Sequence, residues 1–219
     1  MPRTPLTLCL TGSLIGAACM ALSACNLVGP AFYLIHGPEK VKKQYELDPK
    51  KSTVVFIDDR LNRIPRRASR VAVGEQAETM LMKGKHPVDM ISSQSAIQAA
   101  GVDRGGKPVP ITEVGEAVKA QVVIYAMIDE FALSRDGQTF SPGATARVKV
   151  IDVVTGERLW PEQKAGHPVV LRLSPKQGSG PENTAARFAA EDELARQLGQ
   201  EIAWLFITHE APNNIKAID

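Results

Sequence analysis

The chain has 219 residues, with 26 Lys and Arg against 24 Asp and Glu, and its formal net charge at pH 7 is +2. A charge this close to balance provides no general attraction to nucleic acid, and we expect no nucleic-acid partner. The length suits one domain that buries roughly 70% of the surface of its unfolded chain. The three cysteines are at positions 9, 19 and 25, so the rest of the chain contains no cysteine pair for a disulfide.

The first 24 residues have the composition of a secretory signal. Arg3 is their only charged residue, residues 6–20 are apolar or small apart from scattered Thr and Ser, and the small pair Ser23-Ala24 precedes Cys25. This pattern is typical of a cleaved signal peptide. We therefore predict a signal peptide over residues 1–24, with cleavage between Ala24 and Cys25. An uncleaved membrane anchor is the alternative, although the Thr, Ser and Gly residues make a poor spanning helix.

The stretch Leu22-Ser23-Ala24-Cys25 resembles a bacterial lipobox. The resemblance implies that the Cys25 thiol is acylated and that fatty chains hold the mature protein on a membrane. Several chains anchor firmly because each buried methylene contributes about 0.8 kcal/mol. Cys19 is a poorer acceptor, since Gly16 stands where a lipobox has an aliphatic residue. Asn26 follows the cysteine, where Asp would imply retention in the inner membrane, so we predict a lipid anchor on the periplasmic face of the outer membrane.

Residues 25–48 are predicted to form a tether. An apolar run at 31–35 lies between Gly29-Pro30 and Gly37-Pro38, and these flanks limit any helix to one or two turns. The run either packs on the domain's own surface or lies against lipid headgroups. We predict that residues 49–209 form a single α/β domain and that residues 210–219 form a tail.

The first strand of this domain is predicted at Thr53–Ile57, a short β-branched and aromatic run that ends in Asp58-Asp59. Acidic residues at the carboxyl end of a strand can bind metal, which suggests a metal-dependent hydrolase that uses Asp58 and Asp59. However, adjacent strand residues point to opposite faces. We therefore favour pairing of these two carboxylates with nearby arginines.

Five arginines follow, on both sides of Pro65. A helical pattern then runs through residues 71–82, and Pro65 is predicted in its first turn. Each cation at a helix amino terminus interacts unfavourably with the macrodipole, by about 0.3 to 1 kcal/mol. Residues that are locally unfavourable in this way can indicate a functional site. The cluster is a candidate partner-binding surface, and the alternative is a solvated basic loop that pairs with local acids. Its members are Arg60, Arg63, Arg66, Arg67 and Arg70.

The middle of the chain alternates predicted helices and strands. Ser92 or Ser93 can cap a short helix that ends at Gly101, and the apolar run of residues 121–128 is predicted as a central strand covered on both faces. The predicted order is a helix ended by Gly84, a strand at 88–92, a helix ending near Ala100, a helix at 112–119 and a strand at 121–133.

The last third predicts antiparallel strands and a long helix. Residues 144–154 alternate, with Ala146, Val148 and Val150 on one face and Thr145, Arg147 and Lys149 on the other, as in a half-covered strand. Thr155-Gly156 predicts a tight turn. The elements that follow are a return strand halted by Pro161, an edge strand at 169–173 and a helix at 182–208 whose apolar stripe includes Phe188, Ala195, Leu198, Ile202 and Leu205.

No catalytic constellation is visible. The four histidines, at positions 36, 86, 167 and 209, lack metal-ligand spacing, no cysteine follows Cys25, and neither GxSxG nor HExxH occurs. The glycine-rich loop at 104–108 matches neither GxGxxG nor GxxxxGK[ST]. We predict no enzymatic activity, no cofactor and no metal site.

The order of elements, the small-residue stretch Gly115–Ala120 and the turn Ile151-Asp152-x-x-Thr155-Gly156-Glu157 resemble one superfamily. Its members include the amino-terminal domain of the periplasmic Tol protein, the lipoprotein activator of penicillin-binding proteins and the curli-secretion lipoprotein. The resemblance covers residues 52–160. It implies an α/β fold of the α+β sandwich kind, in which helices pack on a mixed sheet and a long carboxyl-terminal helix is added, and it implies no catalytic residues.

The curli-secretion member forms a pore by adding membrane-spanning hairpins, and each spanning strand needs about 9 to 11 residues of alternating polarity. The hairpin tip at 134–143 is short, polar and interrupted by Pro142, so a pore is disfavoured. We predict a lipid-anchored envelope lipoprotein whose domain binds a protein or another envelope partner. The alternatives are an oligomeric secretion component, which would be a homo-oligomer, and the hydrolase that uses Asp58 and Asp59.

Overall fold

A computed structural model of the chain describes residues 40–84, 89–101, 108–137, 139–174 and 180–210. Residues 42–208 form one compact unit. The other unit contains both ends of the chain, and its described residues form two short antiparallel strands, β1 (Lys40–Val41) and β8 (His209–Glu210). Ala24, Cys25 and most of the predicted tether and tail lie outside the described residues. Within the described ranges, no helix has the length and apolarity that crossing a bilayer requires.

The compact unit is built on a six-stranded mixed sheet. Its order is β3-β2-β4-β5-β6, and β7 also pairs with β5. The β2 strand is parallel to both β3 and β4, whereas β4, β5, β6 and β7 pair in antiparallel fashion. The strands are β2 (Thr53–Asp58), β3 (Met90–Ile91), β4 (Val122–Ala132), β5 (Gly143–Asp152), β6 (Arg158–Trp160) and β7 (His167–Arg172).

Within the described ranges, four helices pack on this sheet, and the predicted fold class is confirmed. Asn183 caps the longest helix, since its side-chain oxygen accepts the backbone N–H of Ala186 at 2.8 Å. The prediction that Pro65 lies in a first helical turn is wrong, because the helix begins two residues later. Ser92 stands at an N-cap but makes no side-chain capping bond. The helices are α1 (Arg67–Lys83), α2 (Ser93–Ala100), α3 (Ile111–Ala117) and α4 (Thr184–Trp204).

The first face of the sheet carries the larger core. Helices α1 and α4 cover it, with Leu81 and Leu198 among their fully buried side chains. The two helices approach closely because Gly199 has no side chain, and a Cβ there would collide with the backbone oxygen of Val73. Phe188, predicted to belong to the apolar stripe of α4, is 41% exposed.

The second face of the sheet is covered only in part. Alternate residues of β2 and β4 form a smaller core with Ala96 of α2 and Val114 of α3. Gly115 lies against the side chain of Val153, so a Cβ there would be 2.5 Å from Val153 Cγ2, which explains the small residue at this position. The strand residues in this core are Val54, Phe56, Val123, Tyr125 and Ile151.

The antiparallel half of the sheet has a different second face. Ala146 and Val148 of β5 point into the first-face core, while Thr145, Arg147 and Lys149 point the other way and remain partly accessible. On the neighbouring β7, Val170 pairs with Thr145 and is 60% exposed. The predicted half-covered strand is confirmed.

Candidate binding site

The carboxyl end of β2 lies at a topological switch point, because the chain leaves β2 toward β3 on one side while the neighbouring β4 leads to β5 on the other. Ligands of open α/β sheets bind outside the carboxyl ends of strands at such points. Here the chain turns sharply, with Asn62 in the left-handed region at φ 50°. Asp59 is buried and holds the turn: its two carboxylate oxygens accept the backbone N–H groups of Arg63 at 2.7 Å and Ile64 at 2.9 Å. This carboxylate therefore shapes the loop.

Asp58 points to the opposite face, as the strand geometry predicts. Its Oδ2 accepts the hydroxyl of Tyr125 at 2.7 Å and also the Nε–H of Arg60. Burial, followed by the hydrogen bond to Asp58, raises the pKa of Tyr125. The two carboxylates do not converge, and no group of three or more His, Cys, Asp or Glu side chains within the described ranges could hold a metal ion.

Arg66, at the start of α1, is bound to the last helix. Its Nε donates to Glu191 Oε2 at 2.8 Å, its Nη2 donates to Asp192 Oδ1 and to the Phe188 backbone oxygen, and its guanidinium lies 4.3 Å from the centre of the Phe188 ring. Glu191, only 1% exposed, also accepts Arg187 Nε at 3.0 Å. The hydrogen bond to Glu191 raises the pKa of Arg66. These carboxylates supply the negative charge that the first turn of α1 lacks.

Arg70 is also used inside the domain. Its Nε and Nη2 donate to the backbone oxygen of Ile57, at 2.9 Å and 2.6 Å. Burial lowers the pKa of its guanidinium. Arg66 therefore connects the start of α1 to α4, and Arg70 connects α1 to the carboxyl end of β2.

Two members of the predicted cluster remain available to a partner. The side chains of Arg63 and Arg67 are exposed, and neither has an acceptor among residues of the described ranges. Arg67 lines an open crevice of about 470 Å³ between the loop after β2, the start of α1 and the end of α2. The crevice is lined by Asp59, Asn62, Ile64, Pro65, Arg66, Arg67, Arg70, Ile97, Gln98 and Gly101.

A second set of cations lies on the uncovered half of the second face. Lys149 stands opposite Tyr125 in the strand register, and Arg158 stands opposite Ile151, so both point to this face. Arg147, two residues from Lys149, is held by Asp129 through bonds of 2.8 Å and 2.6 Å. Burial lowers the pKa of Lys149, and the nearby charges of Arg158, Arg147 and Arg60 lower it further.

Sequence reasoning grouped Arg60 with the other four arginines, but the structure places it beside this second set. Lys149 and Arg158 were not identified from the sequence as functional candidates. The alternation in β5 already placed Arg147 and Lys149 on the outer face. A count of charges on that face, continued into β6, could have found the group.

The molecule is thus an α+β domain with a crevice at a strand end and a basic sheet face. No protein-family model and no curated protein matches the chain. Solved structures do resemble it. A PelC variant dodecamer from Paraburkholderia phytofirmans is 15% identical with a TM-score of 0.43, and the match covers 77% of this chain and 96% of that one.

Two further structures are similar. Lipoprotein GNA1162 from Neisseria meningitidis is 12% identical with a TM-score of 0.39, over 68% of this chain and 96% of that one. The carboxyl-terminal domain of LpoB from Salmonella enterica is 15% identical with a TM-score of 0.35, over 58% and 84%. Similarities of this size define neither a family nor an activity for the present chain.

Proposed function

We propose that this protein is an outer-membrane lipoprotein whose α/β domain is a binding module for an envelope partner on the periplasmic side. Lipid on Cys25, after cleavage between Ala24 and Cys25, provides the anchor. The support for the anchor is the sequence Leu22-Ser23-Ala24-Cys25 after an apolar segment. Residues 25–48 serve as the tether, residues 49–209 as the folded domain and residues 210–219 as a tail.

The crevice beside α1 is the proposed docking site. The observation that carries this proposal is that some charged side chains at the end of β2 are bound within the domain while others are not. Asp59, Arg66 and Arg70 are engaged by groups of the domain itself. Arg67, which lines the crevice, and Arg63, in the loop beside it, have no acceptor within the described ranges. Arginine presents a planar fork of donors that suits carboxylates. The partner therefore contributes an acidic group, and the engaged residues position the site.

This proposal includes no catalytic step. Asp58 accepts hydrogen bonds from Tyr125 and Arg60, and Asp59 accepts two backbone N–H groups. Carboxylates used in this way point apart and are bound to donors of the protein. A metal-dependent hydrolase would need them free and convergent.

Crosslinking in intact envelopes tests the docking site. We expect the wild-type protein to give a reproducible crosslinked partner, and the double variant Arg63→Glu and Arg67→Glu to lose it. The matched control, Lys83→Glu with Arg196→Glu, reverses the same number of exposed charges on α1 and α4 and should retain the partner. A wild-type protein with no reproducible partner, or a crevice variant that keeps it, contradicts the proposal.

The anchor has a separate test. Mass spectrometry of the mature protein should find an amino terminus at Cys25 that carries diacylglycerol and an amide-linked chain, and fractionation should place it with outer membranes. A product that retains residues 1–24, or one recovered with the cytosol, refutes the anchor.

The alternative of an oligomeric secretion component is tested on the same sample. The connection between β4 and β5 is polar where it is described: Asp136 accepts hydrogen bonds from Ser134 Oγ at 3.0 Å and from the Thr139 N–H at 2.8 Å. A ring in electron micrographs of the detergent-solubilised protein would favour this alternative. A monomer on size-exclusion chromatography removes it.

A further inference from the structure

The uncovered half of the second sheet face has an excess of positive charge. Among the described residues, five cations lie on it: Arg60 from the loop after β2, Arg147 and Lys149 from β5, Arg158 from β6 and Arg172 from β7. We call this group the basic face. Three carboxylates accompany it, since Asp58 binds Arg60, Asp129 binds Arg147 and Glu130 binds Arg172. The other two cations, Lys149 and Arg158, have no carboxylate partner among the described residues.

The unpaired cations are held in place by the fold. Lys149 is partly buried, and its stem lies beside Gly166, where an added Cβ would be 3.2 Å from Lys149 Cγ. Arg158 donates through Nη2 to the backbone oxygen of Glu162 at 3.0 Å, but its buried Nε has no hydrogen-bond partner. Domains normally pair partly buried charges. Two neighbouring cations without a carboxylate partner among the described residues are complementary to an anionic group.

We propose that the basic face binds an acidic, extended segment of a protein partner. Lys149 and Arg158 are diagonal neighbours on β5 and β6, because Arg158 pairs with Ile151, two residues from Lys149. Diagonal neighbours are separated by roughly 7 to 8 Å, close to the roughly 6.8 Å between alternate side chains of an extended peptide. Alternate carboxylates of such a segment would therefore meet these two cations. Val170 on β7 is 60% exposed and pairs with Thr145, so it offers an apolar contact further along the same face.

This inference goes beyond the crevice of the proposed function, because it uses none of the residues that line the crevice. It gives the domain a second recognition surface, on the sheet face.

Peptide binding to the mature, lipidated protein in a nonionic detergent tests this inference. The probe is fluorescein-labelled hexaglutamate, followed by fluorescence anisotropy. We expect salt-sensitive binding that becomes about tenfold weaker in Lys149→Gln with Arg158→Gln, the effect of removing two partly exposed charge pairs. The charge-matched control, Lys83→Gln with Arg196→Gln, should bind as the wild type does. Circular dichroism and the unfolding midpoint establish that the variants are folded.

Three outcomes would overturn the proposal. In the first, the basic-face variant binds hexaglutamate as tightly as the control. In the second, the loss occurs in Arg63→Gln with Arg67→Gln instead, which would assign the peptide to the crevice and leave the docking site of the proposed function intact. In the third, phosphatidylglycerol in nanodiscs abolishes peptide binding when phosphatidylcholine alone does not, which would assign the face to lipid headgroups.

Discussion

The two faces of the sheet differ in how completely helices cover them. On the first face, α1 and α4 cover apolar residues of β2, β4 and β5, and the charged groups nearby are bound to one another, as Arg66 is to Glu191. On the second face, α2 and α3 cover the parallel half, and the antiparallel half remains charged and accessible. Stability is therefore concentrated on one face, which leaves the other available for recognition.

The largest effect should come from the covered face. Leu198 is fully buried between α4 and the sheet, and Leu198→Ala removes apolar contacts and leaves a cavity, so we expect a loss of about 2 to 5 kcal/mol in the free energy of unfolding. Urea denaturation measures it. Leu61→Ala, the same substitution at a side chain that is 56% exposed, is the control. Equal losses in the two variants would contradict the comparison.

Next comes the contact between α1 and α4. Gly199→Ala places a Cβ against the backbone oxygen of Val73, which cannot move without separating the helices, and we expect a loss of about 1 to 3 kcal/mol. Gly101→Ala meets nothing closer than 3.4 Å and has φ −82°, so it should change stability by less than about 1 kcal/mol. A Gly199 variant as stable as the Gly101 variant would refute the close approach.

A smaller effect is expected where the covered and bare halves of the second face meet. Tyr125→Phe removes the hydrogen bond to Asp58, which should lower the free energy of unfolding by about 1 to 2 kcal/mol. The pKa of Tyr125 is raised in the folded state. Its contribution is therefore complete below the unfolded value of about 10 and is lost as the pH rises above it. Wild type and variant should converge above that pH, and parallel stability curves would disprove the assignment.

The smallest effect should come from the bare half. Val170→Ser on β7 exchanges an exposed side chain, and we expect a change of less than about 0.5 kcal/mol in the free energy of unfolding. Thermal unfolding compared with the Leu198→Ala variant makes the measurement. A large loss would mean that Val170 is covered, and the second face would then resemble the first.

Much of the fold could be predicted because its signals are local. The apolar run of β4, the alternation in β5 and the apolar spacing of α4 each identify an element from neighbouring residues. The first strand, predicted at 53–57, extends to Asp58. The predicted edge strand at 169–173 is found at His167–Arg172. Its pairing with the first half of β5 depends on register, which sequence patterns do not specify.

The candidate site was less predictable because its contacts are distant in sequence. Arg66 is a cation at a helix amino terminus, where positive charge is unfavourable. Glu191, 125 residues later in the sequence, compensates for this charge. Arg60 and Arg67 looked alike in one cluster, but the turn at Asn62 sends them to different surfaces. The sequence shows which charged residues are candidates for partner binding. The path of the backbone determines which of them are already bound within the domain.

The pairing of α1 with α4 also bears on how the chain is made. Helix α1 buries Val73, Ala77 and Leu81 in a core that is completed by α4, a helix synthesised more than a hundred residues later. Contacts of this sequence separation slow folding. A nascent chain that stops before residue 184 exposes this apolar row, so shortened translation products should be poorly soluble and readily degraded. We expect the domain to become protease-resistant only after its final helix, α4, has been synthesised.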